Sequence, residues 1–242
     1  MLGAGLGTRL RPLTENLPKP LVPIGGTPLV THALRHLSSV GVRETIINTH
    51  HAAHRWAEAF PDFRFENLHL SFRHEPVLLD TGGGLKNVQD FLEHSGTFWI
   101  YNGDILTDLP LVKAWTHHTR QKNLVTMVLR STQEPRHVAI DTDSRIVDIR
   151  GMLGTGRNGD FLFTGIHLVE PAIFQYIPRV EVKSIIPIYL DLIRQGLPVG
   201  GAVVDEGRWS DVGTVDEYAR VSGPQGPSAP SSGNQNPTTS RR

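Results

Sequence analysis

The sequence predicts an α/β fold: a mostly parallel central sheet flanked by helices, with a small antiparallel extension in its second half. Three observations carry this. Between residues 27 and 104, short apolar runs of strand length alternate with stretches whose apolar residues recur at helical spacing. Between residues 124 and 168, strand-like runs follow one another with no helical pattern between them. The length of 242 residues, 38% of them hydrophobic with 24 glycines besides, suits one α/β domain or two small ones.

The elements follow in order. After a glycine-rich opening, Thr27 is placed to cap a helix with Pro28 at its first position, where a missing N–H is harmless. Leu29, Val30, Ala33, Leu34 and Leu37 make its apolar face, and Gly41 ends it. Residues 45–48 read as a short buried strand. Ala52, Ala53, Trp56, Ala57 and Phe60 mark a second amphipathic helix, and residues 68–72 and 98–101 two further strands. Ligands of such sheets bind beyond the carboxyl ends of strands, so Asp104 falls at the binding edge. Residues 124–129, 137–140, 145–149 and 161–168 are expected to form the antiparallel extension and to close over a substrate. Ser184 starts a helix with Ile185, Ile186, Tyr189, Leu190 and Ile193 on one face, Gly196 at its end and Pro198 beyond. Residues 199–204 read as a strand, and Thr214 with Glu217 as the capping box of a last helix. Residues 1–222 therefore read as one domain. Residues 223–242 contain Ala229 as their only aliphatic side chain and no aromatic one, and are expected to be a disordered tail. No repeat of 20–50 residues is visible.

Composition removes whole classes of function. Lys plus Arg and Asp plus Glu both number 24, which argues against a bulk nucleic-acid binder. No cysteine is present, so disulfides, thiolate catalysis and thiolate-bound zinc are excluded. No apolar run reaches the length of a membrane span, and no signal peptide pattern precedes the opening motif, so a cytoplasmic location is expected.

The chemistry concentrates at the start. Gly3-Ala4-Gly5-Leu6-Gly7-Thr8-Arg9 is followed ten residues after Arg9 by Lys19, between Pro18 and Pro20. Glycines let backbone N–H groups approach an anion. Arg9 offers a forked donor set that fits phosphate, and Lys19 a compact charge on a restricted backbone. Together they describe a cradle for a polyphosphate. It is not a P-loop, which needs G-x-x-x-x-G-K-[ST], nor the dinucleotide fingerprint G-x-G-x-x-G, because the glycines lie at 3, 5 and 7 and Pro12, Pro18, Pro20 and Pro23 forbid an immediate helix.

The run G-x-G-x-R-L-x-P-L-T-x-x-x-P-K-P-L-x-P resembles the signature of the sugar-1-phosphate nucleotidyltransferases, the NDP-sugar pyrophosphorylases. Asp80-Thr81-Gly82-Gly83-Gly84, Asn102-Gly103-Asp104 and Trp209-Ser210-Asp211-Val212-Gly213-Thr214 are similar to further motifs of that family, in the expected order, and the resemblance covers nearly all of residues 1–221. The T-G-G-G form is most similar to the N-acetylmuramate-1-phosphate uridylyltransferase branch, with mannose- or heptose-phosphate guanylyltransferases close behind.

The resemblance implies a Rossmann-like, GT-A-like nucleotidyltransferase fold. It also implies Mg²⁺-dependent, in-line attack of a sugar 1-phosphate on the α-phosphorus of an NTP (UTP or GTP), releasing pyrophosphate. Gly3, Ala4, Gly5, Gly7 and Thr8 would hold the triphosphate, with Gly82, Gly83, Gly84 and Asn102 near the nucleoside. Arg9 would grip the leaving pyrophosphate, and Lys19 would lie nearer the α-phosphate and the sugar phosphate. Asp104 and Asp211 would ligate Mg²⁺. Thr164 and Gly165 resemble the sugar-site strand. Many relatives carry Glu-Lys-Pro before that strand. Here Ile149-Arg150-Gly151 stands instead, with Arg150 as a possible substitute, which leaves the sugar open. The implied assembly is a monomer or small homo-oligomer, without nucleic acid or membrane.

The resemblance also implies an apolar strand feeding the loop, of which only Met1 and Leu2 are present; either that strand is short or its remainder is encoded upstream. A GT-A glycosyltransferase is a second reading, since Asp141-Thr142-Asp143 fits a D-x-D motif, although its place between two strands suits a hairpin turn. A non-catalytic nucleotide sensor is a third. His32 and His36, His50, His51 and His54, and His117 and His118 lack the H-E-x-x-H arrangement and read as helix faces and loops.

Overall fold

The structure, a computed structural model, describes residues 1–157 and 159–223. From residue 224 on, the expected tail lies outside the described residues. The first half contains β1 (Pro23–Ile24), β2 (Thr27–Pro28), α1 (Leu29–Ser39), β3 (Glu44–Thr49), α2 (His54–Ala59), β4 (Arg64–Phe65), β5 (Leu68–His74), α3 (Asp80–Asn87), α4 (Gln89–Leu92) and β6 (Phe98–Tyr101). The second contains β7 (Ile105–Thr107), α5 (Leu111–Gln121), β8 (Val125–Arg130), β9 (Val138–Ile140), β10 (Ile146–Ile149), β11 (Leu162–Val169), α6 (Ile185–Arg194), β12 (Val199–Val203), β13 (Trp209–Asp211) and α7 (Val215–Ser222).

The central sheet has two parts, β4-β5-β3 and β6-β11-β8-β12. Leu2 joins them by parallel bridges to Asn48 in β3 and to Asn102 just past β6. β5, β3, Leu2, β6, β8 and β12 run the same way, and β11 and the edge strand β4 oppose them. Helices cover both faces. Along β8, Val128 packs into a cluster with Leu111 and Ala114 of α5, while its neighbours Met127 and Leu129 pack with Ile188 and Leu192 of α6.

Two expectations are corrected here. β8 and β11 belong to the central sheet and not to the antiparallel extension. Every residue of β8 and all but Phe163 of β11 are buried or nearly so, the pattern of strands covered on both faces. The β9–β10 hairpin alone forms the small extension, tied back by bridges between Val138 and Phe161 and between Arg145 and Gly200. Thr27 does not cap α1 either. It pairs with Ile24 in the β1–β2 ladder and its hydroxyl donates to the Ile24 carbonyl, so α1 starts at Leu29. Thr214 does cap α7, its Oγ1 accepting from the Glu217 N–H at 3.2 Å.

One core contact makes a pH prediction. His167 in β11 is 1% exposed, with Nδ1 2.5 Å from the Tyr189 hydroxyl of α6. Burial pushes its pKa down to about 3, against an ordinary value of 6.5. The folded state therefore refuses a proton that the unfolded chain accepts. This stabilisation is complete above the unfolded pKa and is lost as pH falls from about 6.5 towards 3, at about 1.4 kcal/mol per pH unit. Urea melts of His167→Gln between pH 7 and 5 should show a shallower loss than the wild type; parallel curves would contradict this.

Candidate active site

The chain leaves the sheet at Leu2 as the loop Gly3–Gly7, then makes a tight 3-10 turn, Thr8–Leu10. Gly3 is a packing glycine: a Cβ there would lie 2.9 Å from the Asn48 carbonyl oxygen and 3.0 Å from Trp56. Its N–H already donates to Asn48 Oδ1 at 2.8 Å, so Gly3 does not offer the free amide expected of it. The N–H groups of Ala4, Gly5, Leu6 and Gly7 have no acceptor among the described residues. Gly7 takes the left-handed conformation, φ +63°, and its carbonyl accepts from the Thr14 hydroxyl at 2.7 Å. The loop is thus held at both ends and keeps a run of donors between them, the arrangement of an anion nest.

A charged cluster faces it. Lys19 begins a second 3-10 turn and is 8% exposed, with Nζ 2.7 Å from Asp104 Oδ2 and 3.6 Å from Asp211 Oδ1. The two aspartates are brought together by the antiparallel β7–β13 ladder, in which Asp211 pairs with Ile105, and by Val212 N–H donating to the Asp104 carbonyl at 3.0 Å. The segment that delivers β13 is gathered by Arg130, whose guanidinium donates to the carbonyls of Val204, Asp205, Glu206 and Gly207. Burial and the neighbouring Asp104 raise the Asp211 carboxyl above its ordinary value, with Lys19 and Arg9 pulling the other way. Arg9 reaches the same place: a Cβ on Gly213 would lie 3.3 Å from its Nη2 and 3.2 Å from Asp211 Oδ1.

A cavity of about 380 Å³ opens beside the cluster, lined by Ala4, Gly5, Glu75, Thr81, Asn102 and Asp104 among others. Asn102 N–H donates to the Gly165 carbonyl at 3.0 Å, and Gly165, at φ +79°, has no room for a Cβ, which would lie 2.6 Å from Asn102 Nδ2. Gly165 therefore seats Asn102. Thr164 is fully buried and donates its hydroxyl to the Val128 carbonyl, so it presents nothing to a ligand. Arg150 is exposed on the hairpin, its N–H donating to the His137 carbonyl, and it does not line the cavity. The structure thus brings together Ala4, Gly5, Gly7, Arg9, Lys19, Asn102, Asp104 and Asp211, but not Thr164 or Arg150.

The triple glycine is a packing element. Gly82, Gly83 and Gly84 lie in the first turns of α3, and a Cβ on each would strike protein. It would meet the Lys183 carbonyl at 2.9 Å from Gly82, the Glu181 carbonyl at 1.9 Å from Gly83, and both Asn48 Nδ2 and Glu75 Oε1 at 2.8 Å from Gly84. The N–H groups of Gly82 and Gly83 both donate to the Lys183 carbonyl. These glycines seat the 181–184 segment against α3.

Sequence reasoning missed Asn48 and Glu75. Glu75 is fully buried, accepting from Asn48 Nδ2 at 2.7 Å through Oε1 and from Leu79 N–H at 3.0 Å through Oε2. Asn48 in turn holds Gly3, so a chain of hydrogen bonds runs from the start of α3 to the glycine loop. Only the order strand, polar residue, loop could have pointed to them. Glu75→Ala strands a buried amide and a backbone N–H. It should destabilise by about 2–3 kcal/mol and weaken nucleotide binding by loosening the loop. A thermal melt and a nucleotide titration check both; wild-type values in both would contradict the linkage.

The D-x-D motif is a turn. Asp141 Oδ1 accepts from Asp143 N–H at 2.9 Å and Arg145 N–H at 2.8 Å, closing the β9–β10 hairpin. Three of these histidines have structural partners: His36 contacts Tyr101 and the Leu109 carbonyl, His50 the Glu75 carbonyl, and His118 Thr126 and Glu170, whereas Nε2 of His117 is buried without one.

This geometry can be set beside known proteins. The nucleotidyl transferase family model matches residues 1–224. The chain belongs to that family. It is 30% identical to the mannose-1-phosphate guanylyltransferase of Mycobacterium tuberculosis over 226 residues, covering 92% of this chain and 62% of that protein. It is 28% identical to the N-acetylmuramate alpha-1-phosphate uridylyltransferase of Neisseria meningitidis, covering 89% of this chain and 92% of that one. A putative glucose-1-phosphate thymidylyltransferase from Bacillus anthracis shares the fold, with a TM-score of 0.77 over 91% of this chain and 92% of that one, at 20% identity. The chain thus spans about three fifths of the mycobacterial relative and nearly all of the neisserial one. Among the described residues, no helix is long and apolar enough to cross a membrane.

Proposed function

We propose that the chain condenses an NTP with a sugar 1-phosphate to give an NDP-sugar and pyrophosphate. One observation carries the reading: Lys19, Asp104, Asp211 and Arg9 converge beside a glycine loop whose amides are free to bind an anion. The sugar phosphate is already ionised near neutral pH, so the reaction needs no general base. It needs two polyanions aligned and the charge on the leaving group stabilised.

Each group has a place in that task. The amides of Ala4–Gly7 bind the triphosphate. Arg9 binds the β- and γ-phosphates and stabilises pyrophosphate as it leaves. Lys19, restrained by its flanking prolines, meets the α-phosphate and the incoming sugar phosphate. Asn102 and the cavity beside it take the nucleoside.

The acidic pair fits Mg²⁺. Among the described residues no group of three or more His, Asp or Glu could hold a metal. Mg²⁺ commonly takes only one or two carboxylates and completes its shell with phosphate and water. Two carboxylates sharing one ammonium, one of them held above its ordinary pKa, leave an anionic surplus that such a cation would relieve. Asp104 and Asp211 would hold the ion, which supplies charge neutralisation on the phosphates.

The relatives favour UTP or GTP as nucleotide, and N-acetylmuramate 1-phosphate or mannose 1-phosphate as acceptor. Pyrophosphate release with Mg²⁺, each of the four NTPs in turn and a panel of sugar 1-phosphates tests the proposal. Release that requires one NTP together with one sugar phosphate is expected; none from a folded sample would overturn it.

A further inference from the structure

A second cavity, of about 330 Å³, lies between α5 and the end of β12. One wall is the helix, through Lys113, His117 and Arg120; the other is the strand, through Ala202–Val204. None of these residues lines the cavity beside Lys19. The volume is at the small end of the range for small-molecule sites. Lys113, His117 and Arg120 fall on one stripe of α5, at i, i+4 and i+7. Like charges at such spacing weaken a helix. The helix dipole favours Arg120 in the last turn but opposes Lys113 in the first. Helix stability alone therefore does not account for the stripe.

The charge is only partly balanced where it stands. Glu206 pairs with Lys113. Arg120 is exposed and, among the described residues, has no carboxylate partner and no side-chain hydrogen bond. The Arg145 guanidinium donates to the neutral Asn123 side-chain oxygen at 2.8 Å. His117 registers the field that results. Burial first, and then the positive charges of Arg120, His118 and Arg145, hold its pKa below the ordinary value of 6.5, with no carboxylate pulling the other way. Its Nε2 is buried and has no hydrogen-bond partner.

The strand adds a donor. Gly201 N–H points to the outer edge of the sheet, where it donates to the Ser144 carbonyl at 2.8 Å. Strand amides alternate in direction, so the Val203 N–H points to the same edge. The hairpin bridges β12 at Gly200 and leaves Val203 open, 40% exposed. Cations, a backbone N–H and a concave wall thus meet in one groove.

We propose that this groove binds a small molecule carrying a diphosphate, held by Lys113 and Arg120 at its two ends with His117 between them. Phosphate suits the forked donors of Arg120 and the compact charge of Lys113. Seven residues of helix set the two cations about 10 Å apart at the backbone, a span that suits a diphosphate better than a single phosphate. The inference rests on this groove alone and does not depend on the proposed reaction.

Histidine-ring NMR, with His117 assigned through His117→Gln, reads the groove locally. Pyrophosphate added to the 242-residue chain at fixed ionic strength should shift the His117 resonances saturably, and about tenfold more tightly than orthophosphate. Arg120→Ala should weaken that binding about tenfold and leave the melting temperature unchanged. Lys19→Ala, which alters the other phosphate cradle, should leave the His117 titration as it is. No saturable shift, the same affinity in Arg120→Ala, or loss of the shift in Lys19→Ala would overturn the proposal. So would hexaglutamate binding as tightly as pyrophosphate, because the groove would then be a site for an acidic peptide.

Discussion

Lys19→Ala should lower the rate of pyrophosphate release about 10²–10³-fold, the usual effect of removing one preorganised donor from a developing charge. On the proposed assignment the loss should fall mainly on kcat, because the amides of Ala4–Gly7 and Arg9 would still bind the triphosphate. Asp104 and Asp211 would be left facing each other, but their side chains are 29% and 47% exposed, so water and counterions replace the ammonium and the fold persists. Lys19→Arg should not restore the rate, since a planar fork does not fit a place built for a compact ammonium 2.7 Å from Asp104. Steady-state kinetics with a melt on each variant check this. Near-normal turnover in Lys19→Ala would remove Lys19 from the mechanism.

Gly83→Ala should produce the largest stability loss of any Gly→Ala change among the described residues. Its Cβ would sit 1.9 Å from the Glu181 carbonyl oxygen, which is backbone and cannot swing aside. Either the 181–184 segment separates from α3, breaking the bonds from Gly82 and Gly83 to the Lys183 carbonyl and from Lys183 N–H to Leu79, or α3 shifts. Overpacking costs about 1–3 kcal/mol, and with those bonds lost the sum should exceed about 3 kcal/mol. Gly5→Ala is the contrast: nothing lies within 4 Å of a Cβ there, so the fold should be unaffected while nucleotide binding weakens. Urea melts of both variants test the pair. Equal stabilities would show that the glycines of α3 are not packing residues.

How far the sequence carried the reading follows from the range of the interactions involved. Periodicity located α1, α6 and β3 because burial of one face leaves its trace locally. It missed α5, whose face is made by Leu111, Ala114 and a buried His118 rather than by an aliphatic run. It missed α3 because consecutive glycines have poor helix propensity; contact with residues 181–184 overrides that preference. A run of apolar residues states burial but not partners, so nothing local distinguishes β8 and β11 from strands of the extension. At the site, Lys19 and Asp104 were visible as motifs. The pairing of Asp104 with Asp211 depends on the β7–β13 ladder, two three-residue strands with no pattern of their own, so only the resemblance suggested it. Thr164 illustrates the reverse: its motif matched, yet its hydroxyl is spent on the Val128 carbonyl.

The proposed reaction has the cluster around Lys19 transferring a nucleotidyl group directly to a sugar phosphate. Following α-³²P- and γ-³²P-labelled NTP in parallel reactions with Mg²⁺ and the sugar 1-phosphate tests it most directly. The α-label should appear in an NDP-sugar and the γ-label in pyrophosphate, in equal amounts and only when the sugar phosphate is present. Label released as orthophosphate, or α-label leaving the NTP without a sugar phosphate, would contradict it.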